Sequence, residues 1–358
     1  MKIIGVDIKT LEVPLEKPFK TALREVTTLK TYIIELYTDD GNIGYGEAAS
    51  TPVITGDLEG NIKDAVFNYI FPSIKGMDVE EIENIMYRIN KCLIKNTSAK
   101  AAVDMAVYDL FAKMCKKPLY VILGGARTEV ETDITVSVKE PKDMAEDAEE
   151  YVSRGFNTLK IKVGIDSELD IKRVKAIRDV VPKDINIRLD ANQGWSAKEA
   201  VRTIRKMEDM GLDIELIEQP VPYYDIEGLK YVTDNTYIPI MADESLFSLQ
   251  DAVRLLSNRA CDILNIKLMK CGGLYNAQKI LSIAEAYGVE CMIGSMMESS
   301  VGITFAASLA CGRLGINKVD LDAALLLKEN RVDEGIEYHK NIIKMSKGVG
   351  SGIKGIRY

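Results

Sequence analysis

Histidine is almost missing from this chain of 358 residues: the sequence has one, His339, near its C-terminal end. Zinc chemistry of the HExxH type is therefore excluded, and a serine or cysteine nucleophile activated by histidine would depend on this single residue. We interpret His339 as a surface or packing residue. An enzyme of this composition working near neutral pH would have lysines or carboxylates as its bases.

Other features are also scarce. No apolar run approaches the roughly 18 residues of a membrane span. Acidic residues outnumber basic ones by 54 to 46, whereas a nucleic-acid-binding surface needs a basic excess. The N-terminus has no basic region followed by an apolar one, and the six cysteines include no CxxC pair. The sequence therefore predicts a cytoplasmic protein with reduced thiols and without nucleic-acid or membrane partners.

The first part of the chain, residues 1–125, has the pattern of a small α+β domain. Strand-like alternation comes first and includes a predicted hairpin turn at Asp40–Gly41. Residues 14–28 are poor in apolar side chains and are predicted to form a polar loop. Helical periodicity follows over residues 61–114, where Ser98 is a candidate N-cap of the last helix.

From residue 126 the pattern changes to short strands that alternate with amphipathic helices. Charged residues end five successive strands at positions 162, 190, 218, 243 and 267, which gives intervals of 28, 28, 25 and 24 residues. Such intervals fit one strand and one helix, and eight strands with seven helices predict a (β/α)7β barrel over residues 126–330. Residues 331–358 are predicted to be a C-terminal tail that returns to the first domain. A doubly wound open sheet is the alternative, but it gives no reason for charges at every strand end.

Three neighbouring predicted strands end in the carboxylates Asp190, Glu218 and Asp243. In barrels of this kind the active site forms at the C-terminal ends of the strands. Convergent carboxylates repel one another unless a cation lies among them, and ligation by oxygen alone favours a hard ion, Mg²⁺ first. These three residues are therefore the predicted ligands of a single Mg²⁺.

Lysines stand on the strands that flank this predicted metal site, Lys162 on one side and Lys267 on the other. A metal that holds a substrate carboxylate stabilises the enediolate formed when the adjacent carbon loses its proton. A base on each face of that carbon can remove one proton and return another, which inverts the centre. Lys160 and Lys162 point the same way along one strand, so their repulsion and the metal are expected to lower the lysine pKa toward neutrality.

These motifs resemble the enolase superfamily, in its muconate-lactonizing subgroup. The resemblance extends over nearly the whole chain, and within the subgroup it is strongest to the dipeptide epimerases, which carry the Asp-x-Asp found here at Asp320 and Asp322. It implies Mg²⁺-dependent epimerisation of a dipeptide, L-Ala-L-Glu to L-Ala-D-Glu, by two-base proton transfer, in murein peptide metabolism. The matching motifs are Lys160-Ile-Lys162, the three carboxylates, Glu218-Gln-Pro220 and Lys267 with Gly272-Gly273.

The resemblance also implies how the substrate is held. Lys160 would contact the substrate carboxylate, while Lys162 and Lys267 are the two acid/base residues. Asp320 and Asp322 would pair with the substrate ammonium group. The first domain would be a capping domain whose loops close over the barrel, one of them near Ile54. The resemblance also implies that Arg24 would meet the glutamate side chain of the substrate. The strand-end residues Thr135 and Ser295 would contact the substrate as well.

The sequence alone leaves other functions open. Cycloisomerases, o-succinylbenzoate synthases and N-acylamino-acid racemases share the lysines and the metal ligands, because they share the enolate-forming half-reaction. A metal-stabilised binding protein would need no lysine on each face of its ligand. A Schiff-base aldolase would need one lysine and would leave three convergent carboxylates unexplained. The sequence also leaves open the full range of dipeptide substrates and whether the protein forms a homo-oligomer.

Overall fold

The computed structural model describes residues 1–358, and its N-terminal part is built on a three-stranded antiparallel sheet. A tight turn at residues 39–42 joins the second and third strands, and Gly41 has a φ of 82° there. The predicted hairpin is therefore confirmed, with glycine where the backbone is left-handed. The strands, in spatial order, are β1 (Ile3–Lys20), β2 (Glu25–Thr38) and β3 (Ile43–Ala49).

Five α-helices follow this sheet, and the fourth of them packs against β3 and β2. Gly44 and Gly46 of β3 permit the close contact, because a Cβ atom at either position would lie within 3.0 Å of a backbone carbonyl oxygen of that helix. The helices are α1 (Glu59–Asp64), α2 (Phe71–Ile74), α3 (Ile82–Lys91), α4 (Thr97–Met114) and α5 (Leu119–Ile122), with a π-helical turn at Ala65–Ile70 between α1 and α2.

The N-terminus of α4 is not capped as the sequence predicts. Asn96 holds the N-cap position with a φ of 51°, and the buried Ser98 hydroxyl has no hydrogen-bond partner. The backbone N–H of Ser98 instead donates to the carboxylate of Asp57 over 3.0 Å. The prediction of Ser98 as the cap is therefore wrong, because a side chain 41 residues away supplies the acceptor.

The second part of the chain contains eight parallel strands that pair in chain order. The first and last strands are joined outside the ladder, by the backbone N–H of Asp133 and the carbonyl oxygen of Val319 at 3.4 Å. The strands are β5 (Ile134–Val136), β6 (Thr158–Lys162), β7 (Asn186–Asp190), β8 (Ile214–Glu218), β9 (Ile240–Ala242), β10 (Ile263–Lys267), β11 (Glu290–Gly294) and β12 (Ile316–Asp320).

Helices connect successive strands, whereas β12 is followed only by a 3₁₀ turn at Ala323–Leu326. The predicted (β/α)7β barrel with an N-terminal α+β domain is therefore confirmed. None of the helices has the length and apolarity that crossing a bilayer requires. The barrel helices are α6 (Pro141–Ser153), α7 (Ser167–Val180), α8 (Ala197–Asp209), α9 (Ile226–Asn235), α10 (Leu249–Ser257), α11 (Leu268–Cys271), α12 (Leu274–Tyr287) and α13 (Ser300–Gly312).

The polar loop predicted for residues 14–28 is wrong. The strands β1 and β2 continue into this segment as a two-stranded ribbon, in which Phe19 pairs with Val26 and only residues 21–24 form the turn. The ladder is interrupted between Pro14 and Phe19 and resumes at the end of the ribbon, so this segment does not follow the simple alternation by which a strand is predicted. Its base is held on the barrel, since the backbone N–H of Lys328 donates to the carbonyl oxygen of Pro14 over 2.9 Å.

The C-terminal segment forms four short strands. The backbone N–H of Ser351 donates to Asp109 of α4 over 2.6 Å, and the Tyr358 hydroxyl donates to Glu35 of β2 over 2.6 Å. His339 is exposed, with Nε2 at 3.2 Å from Glu337. The strands are β13 (Val332–Glu334), which pairs with β16 (Ile353–Ile356), and β14 (Ile336–His339) and β15 (Ile342–Met345), which form a sheet with β4 (Glu129–Glu131).

The glycine contact between β3 and α4 leads to a stability prediction. Gly46→Ala should lower the free energy of unfolding by about 1–3 kcal/mol, because its methyl group would overlap the carbonyl oxygen of Ala102. Gly60→Ala is the control: it lies in α1 with no atom within 4 Å of the added methyl group, so it should stabilise by about 0.4–1 kcal/mol. Urea unfolding measures both, and equal effects would contradict the packing argument.

Candidate active site

One cavity of about 600 Å³, partly open to solvent, lies between the ribbon and the C-terminal ends of the barrel strands. Phe19 and Val53 of the N-terminal domain form part of its apolar wall, and Asn192 adds a polar group from the barrel. All eight residues predicted to act in catalysis or to contact substrate line this cavity: Arg24, Thr135, Lys160, Lys162, Lys267, Ser295, Asp320 and Asp322.

The three predicted metal ligands lie at the strand ends next to these lysines and do not line the cavity. Asp190 and Glu218 end β7 and β8, and Asp243 follows β9 directly. Each of them is at most 1% exposed. The parallel register places Lys162 beside Asp190 and Asp190 beside Glu218. Ladder pairing thus brings together residues that are distant in the sequence.

Lys160 is the centre of the charge cluster. Its ammonium nitrogen lies 2.6 Å from Glu218, 2.7 Å from Asp320 and 3.1 Å from Asp190. Burial lowers the pKa of Lys160, but these carboxylates outweigh burial and raise it well above its usual range. Lys160 is therefore a buried cation held by three buried anions.

The two predicted bases flank this cluster. Lys162 Nζ lies 2.6 Å from Asp190, and Lys267 Nζ lies 2.8 Å from Asp243. Burial lowers the pKa of Lys267, but the nearby carboxylates raise it above its ordinary value. At Lys160 and Lys267 the attraction to carboxylates exceeds the repulsion between lysines, so both pKa values are raised. The expected lowering for the pair Lys160 and Lys162 depends in part on the metal ion and stays a prediction.

The three carboxylates suit a hard divalent cation by their chemistry. No three acidic, histidine or cysteine side chains surround one point as metal ligands, and lysine ammonium groups lie among the carboxylates instead. Burial and the nearby charge of Asp190 raise the pKa of Glu218 to about 7. A divalent cation would offset the repulsion between these two carboxylates. Two adjacent buried oxygens, Asn192 Oδ1 and Asn265 Oδ1, also have no hydrogen-bond partner. The chemistry of these oxygen donors therefore suits Mg²⁺.

Asp320 and Asp322 form an acidic wall of the cavity. Asp320 is paired with Lys160, whereas Asp322 accepts a hydrogen bond from the backbone N–H of Thr135 over 2.7 Å. Burial and the charge of Asp320 raise the pKa of Asp322 to about 6. No cationic side chain forms an ion pair with Asp322, so this carboxylate is available to a cationic ligand group.

Arg24 reaches the same cavity from the turn of the ribbon. Its backbone N–H donates to the Thr21 hydroxyl over 3.3 Å, which shapes the turn. The guanidinium group is partly buried, and burial lowers its pKa with no carboxylate to oppose the effect. An arginine fork without an anionic partner is suited to bind a carboxylate of a ligand.

Two positioning residues were not predicted. Lys270 is fully buried, and its ammonium group contacts the Asp243 carboxylate and the carbonyl oxygen of Asn265 at 3.1 Å. Gln219 accepts hydrogen bonds from the backbone N–H groups of Asp243 at 2.9 Å and Ser245 at 3.1 Å. Both lie within strand-end motifs of the sequence, but their roles depend on contacts with the neighbouring strand.

The charge cluster generates a prediction for Lys160→Met. The variant should lower the free energy of unfolding by about 3–5 kcal/mol, because it leaves buried carboxylates without a cation. The control is Lys142→Met, whose ion pair with Glu146 is exposed and should be worth about 0–1 kcal/mol. Urea unfolding with a chelator present measures the free energy of unfolding of both variants. An unchanged free energy of unfolding in Lys160→Met would refute the pairing role of Lys160.

Comparison with known proteins identifies the family. A model described as Mandelate racemase / muconate lactonizing enzyme, N-terminal domain, matches residues 3–124, and one described as Enolase C-terminal domain-like matches residues 143–355. The chain is 49% identical over 356 residues to the L-Ala-D/L-Glu epimerase of Clostridium acetobutylicum, with 99% of each chain covered.

Solved structures of similar proteins support the same family. A substrate-liganded complex of the L-Ala-D/L-Glu epimerase from Bacillus subtilis is 50% identical, with a TM-score of 0.99 and 100% of both chains covered. The dipeptide epimerase from Enterococcus faecalis V583, complexed with Mg and the dipeptide L-Leu-L-Tyr, is 42% identical with a TM-score of 0.96, covering 99% of this chain and 100% of that one. The chain therefore belongs to the mandelate racemase/muconate lactonizing enzyme family of the enolase superfamily.

Proposed function

We propose that this protein is a dipeptide epimerase that converts L-Ala-L-Glu to L-Ala-D-Glu with one Mg²⁺ as cofactor. The observation that carries the proposal is the pair Lys162 and Lys267, which line one cavity and contact the outer two of three buried carboxylates. Relatives named L-Ala-D/L-Glu epimerase support it, and so does a related epimerase complexed with Mg. The proposal keeps the expected cytoplasmic setting and the role in murein peptide metabolism.

The cavity has a partner for each charged group of such a substrate. The ammonium group would meet Asp320 and Asp322, the second of which has no cationic partner. The α-carboxylate would meet Lys160, and the glutamate side chain would meet Arg24. Fixing three charged groups of one small molecule leaves it a single orientation, which is how a site reduces the entropy cost of reaction.

The two lysines would divide the proton transfer between them. One lysine, neutral at the start, removes the α proton from its face of the substrate, and the other, as an ammonium group, donates a proton to the opposite face. The α carbon is inverted, and the enzyme ends with the protonation states of its lysines exchanged. When bound, Mg²⁺ would be held by Asp190, Glu218 and Asp243, would compete with lysines for these carboxylates and would neutralise the charge that develops on the substrate carboxylate.

The free ammonium group separates this proposal from its closest alternatives. Substrates of cycloisomerases, o-succinylbenzoate synthases and N-acylamino-acid racemases have no α-ammonium group to place against Asp320 and Asp322. Both side chains line the cavity. Two carboxylates on that wall would repel an anionic end of those substrates and would find no cationic partner in an uncharged one.

Single substitutions of the two bases test the proposal. Lys162→Ala and Lys267→Ala should each reduce epimerisation of L-Ala-L-Glu by about 10²–10⁴-fold, because each removes one acid/base group. Each variant should still exchange deuterium into one epimer and not into the other. Incubation in D₂O, read by mass gain at the α carbon and by separation of the epimers, measures both effects.

Three results would contradict the proposal. Full turnover by either variant would refute the two-base assignment, and activity indifferent to a chelator would refute the metal. Equal rates for L-Ala-L-Glu and its N-acetyl form would favour an N-acylamino-acid racemase instead. The Lys20→Ala variant is the control, since this exposed lysine lies on the ribbon outside the cavity.

The choice of the second residue is predicted to depend on Arg24. Arg24→Ala should reduce the preference for L-Ala-L-Glu over L-Ala-L-Leu by roughly 2–3 kcal/mol, or about 30- to 150-fold in kcat/KM, which is the usual worth of a hydrogen bond to a charged group. Arg24→Lys should retain part of the preference, because it keeps the charge and loses the fork. A wild type that prefers cationic or hydrophobic second residues would show that Arg24 is not the selector.

A further inference from the structure

A buried carboxylate of the N-terminal domain caps a helix of the barrel. Asp104, in the middle of α4, accepts hydrogen bonds from the backbone N–H groups of Leu274 at 2.6 Å and Tyr275 at 3.2 Å. These are the first two residues of α12. The N–H groups of a first helical turn have no partner within the helix, so Asp104 satisfies two of them from another domain.

The N-cap position of α12 is built to receive this side chain. It is occupied by Gly273, which has a φ of 114° and no side chain that could cap the helix itself. A Cβ atom at Gly273 would lie within 3.0 Å of the Asp104 carboxyl group. Gly273 and Asp104 are therefore complementary, and α12 depends on the other domain for its cap.

The segment between this cap and the barrel sheet carries Lys267. Lys267 is the last residue of β10, and Gly273 follows six residues later. Within the segment the backbone N–H groups of both Gly272 and Gly273 donate to the carbonyl oxygen of Leu268 at 3.0 Å. The segment is thus a compact turn that is held at one end by the sheet, in the middle by the contacts of Lys270 with Asp243 and Asn265, and at the other end by Asp104.

The helix that supplies Asp104 is itself firmly held. It is capped by Asp57, and its backbone is in contact with Gly46 of β3. The segment after Lys162 has a different anchor: the backbone N–H of Gly164 donates to Asp170 of α7 at 2.9 Å. That anchor lies wholly within the barrel.

We propose that Asp104 is a positioning residue for Lys267, so that the N-terminal domain anchors the backbone segment that follows one base, whereas the backbone segment that follows the other is anchored within the barrel. The inference rests on the proposed function, in which Lys162 and Lys267 serve opposite faces of the α carbon. Loss of the cap would loosen the α12 end of the Lys267 segment and leave the backbone anchor of the Lys162 segment in place. Proton exchange would then slow more at the face of the α carbon that Lys267 serves than at the opposite face. A general loss of protein stability would slow exchange at both faces alike.

Deuterium exchange into each epimer tests the inference. The Lys267→Ala variant first shows which epimer depends on Lys267. In Asp104→Ala the exchange rate of that epimer should fall by at least about 10-fold, since small displacements of a reacting group cost that much or more, while the exchange rate of the other epimer stays within about 3-fold. Asp104→Asn keeps one acceptor oxygen and should give an intermediate ratio between the two rates.

Asp109→Ala is the matched control. Asp109 is also a buried acid of α4 that accepts backbone N–H groups, from Ser351 at 2.6 Å and Tyr45 at 3.1 Å, but it does not contact the Lys267 segment. It should lower the thermal midpoint without changing the ratio of the two exchange rates.

The possible outcomes distinguish a failure of the positioning role of Asp104 from a failure of the proposed function. An unchanged ratio in folded Asp104→Asn and Asp104→Ala, or an equal shift of the ratio in Asp109→Ala, would overturn the positioning role and leave the proposed function intact. A wild type that exchanges deuterium into neither epimer would overturn the proposed function and this inference with it. A face-specific loss in the Asp104 variants alone supports the positioning role.

Discussion

The mouth of the barrel depends on one electrostatic constraint, the burial of the Lys160 ammonium group among three carboxylates. Removing such charges from water is costly, and the cost is offset only when partners stand at hydrogen-bond distance. The parallel register meets this condition, because it sets Lys162, Asp190 and Glu218 side by side on consecutive strands. Any slip in register would separate the charges, so the chemistry and the fold at this end of the barrel require the same alignment.

The barrel and the candidate site could be predicted from the sequence because both follow local, periodic patterns. Charges such as Asp190 and Lys267 recur at intervals of one strand and one helix, and their common position at strand ends implies a common location. The ribbon could not be predicted, since its ladder is irregular between Pro14 and Phe19 and its side chains follow no regular apolar alternation. The partners of Lys270 and Asp104 were equally hidden, because Asp104 lies 170 residues from Leu274.

The N-terminal domain is more than a cover for the cavity. Besides Asp104, it contributes Glu47, which accepts hydrogen bonds from the backbone N–H groups of Ser299 at 2.9 Å and Gly302 at 2.7 Å at the start of α13. Two consecutive barrel helices thus begin on acidic side chains of the other domain. The barrel consequently does not satisfy all of its helix ends by itself, and the two domains form one structural unit.

The bonds from the C-terminal segment to Asp109 and Glu35 bear on how the protein is made. Ser351 lies 242 residues after Asp109, which at ribosomal rates corresponds to roughly 12–50 s of synthesis. During that interval the buried carboxylate of Asp109 has only its earlier partners, the backbone N–H of Tyr45 and the ammonium group of Lys113, and the barrel helices that α4 meets emerge in between. The hydrogen bond from Ser351 to Asp109 is therefore one of the later contacts of α4 that synthesis makes available.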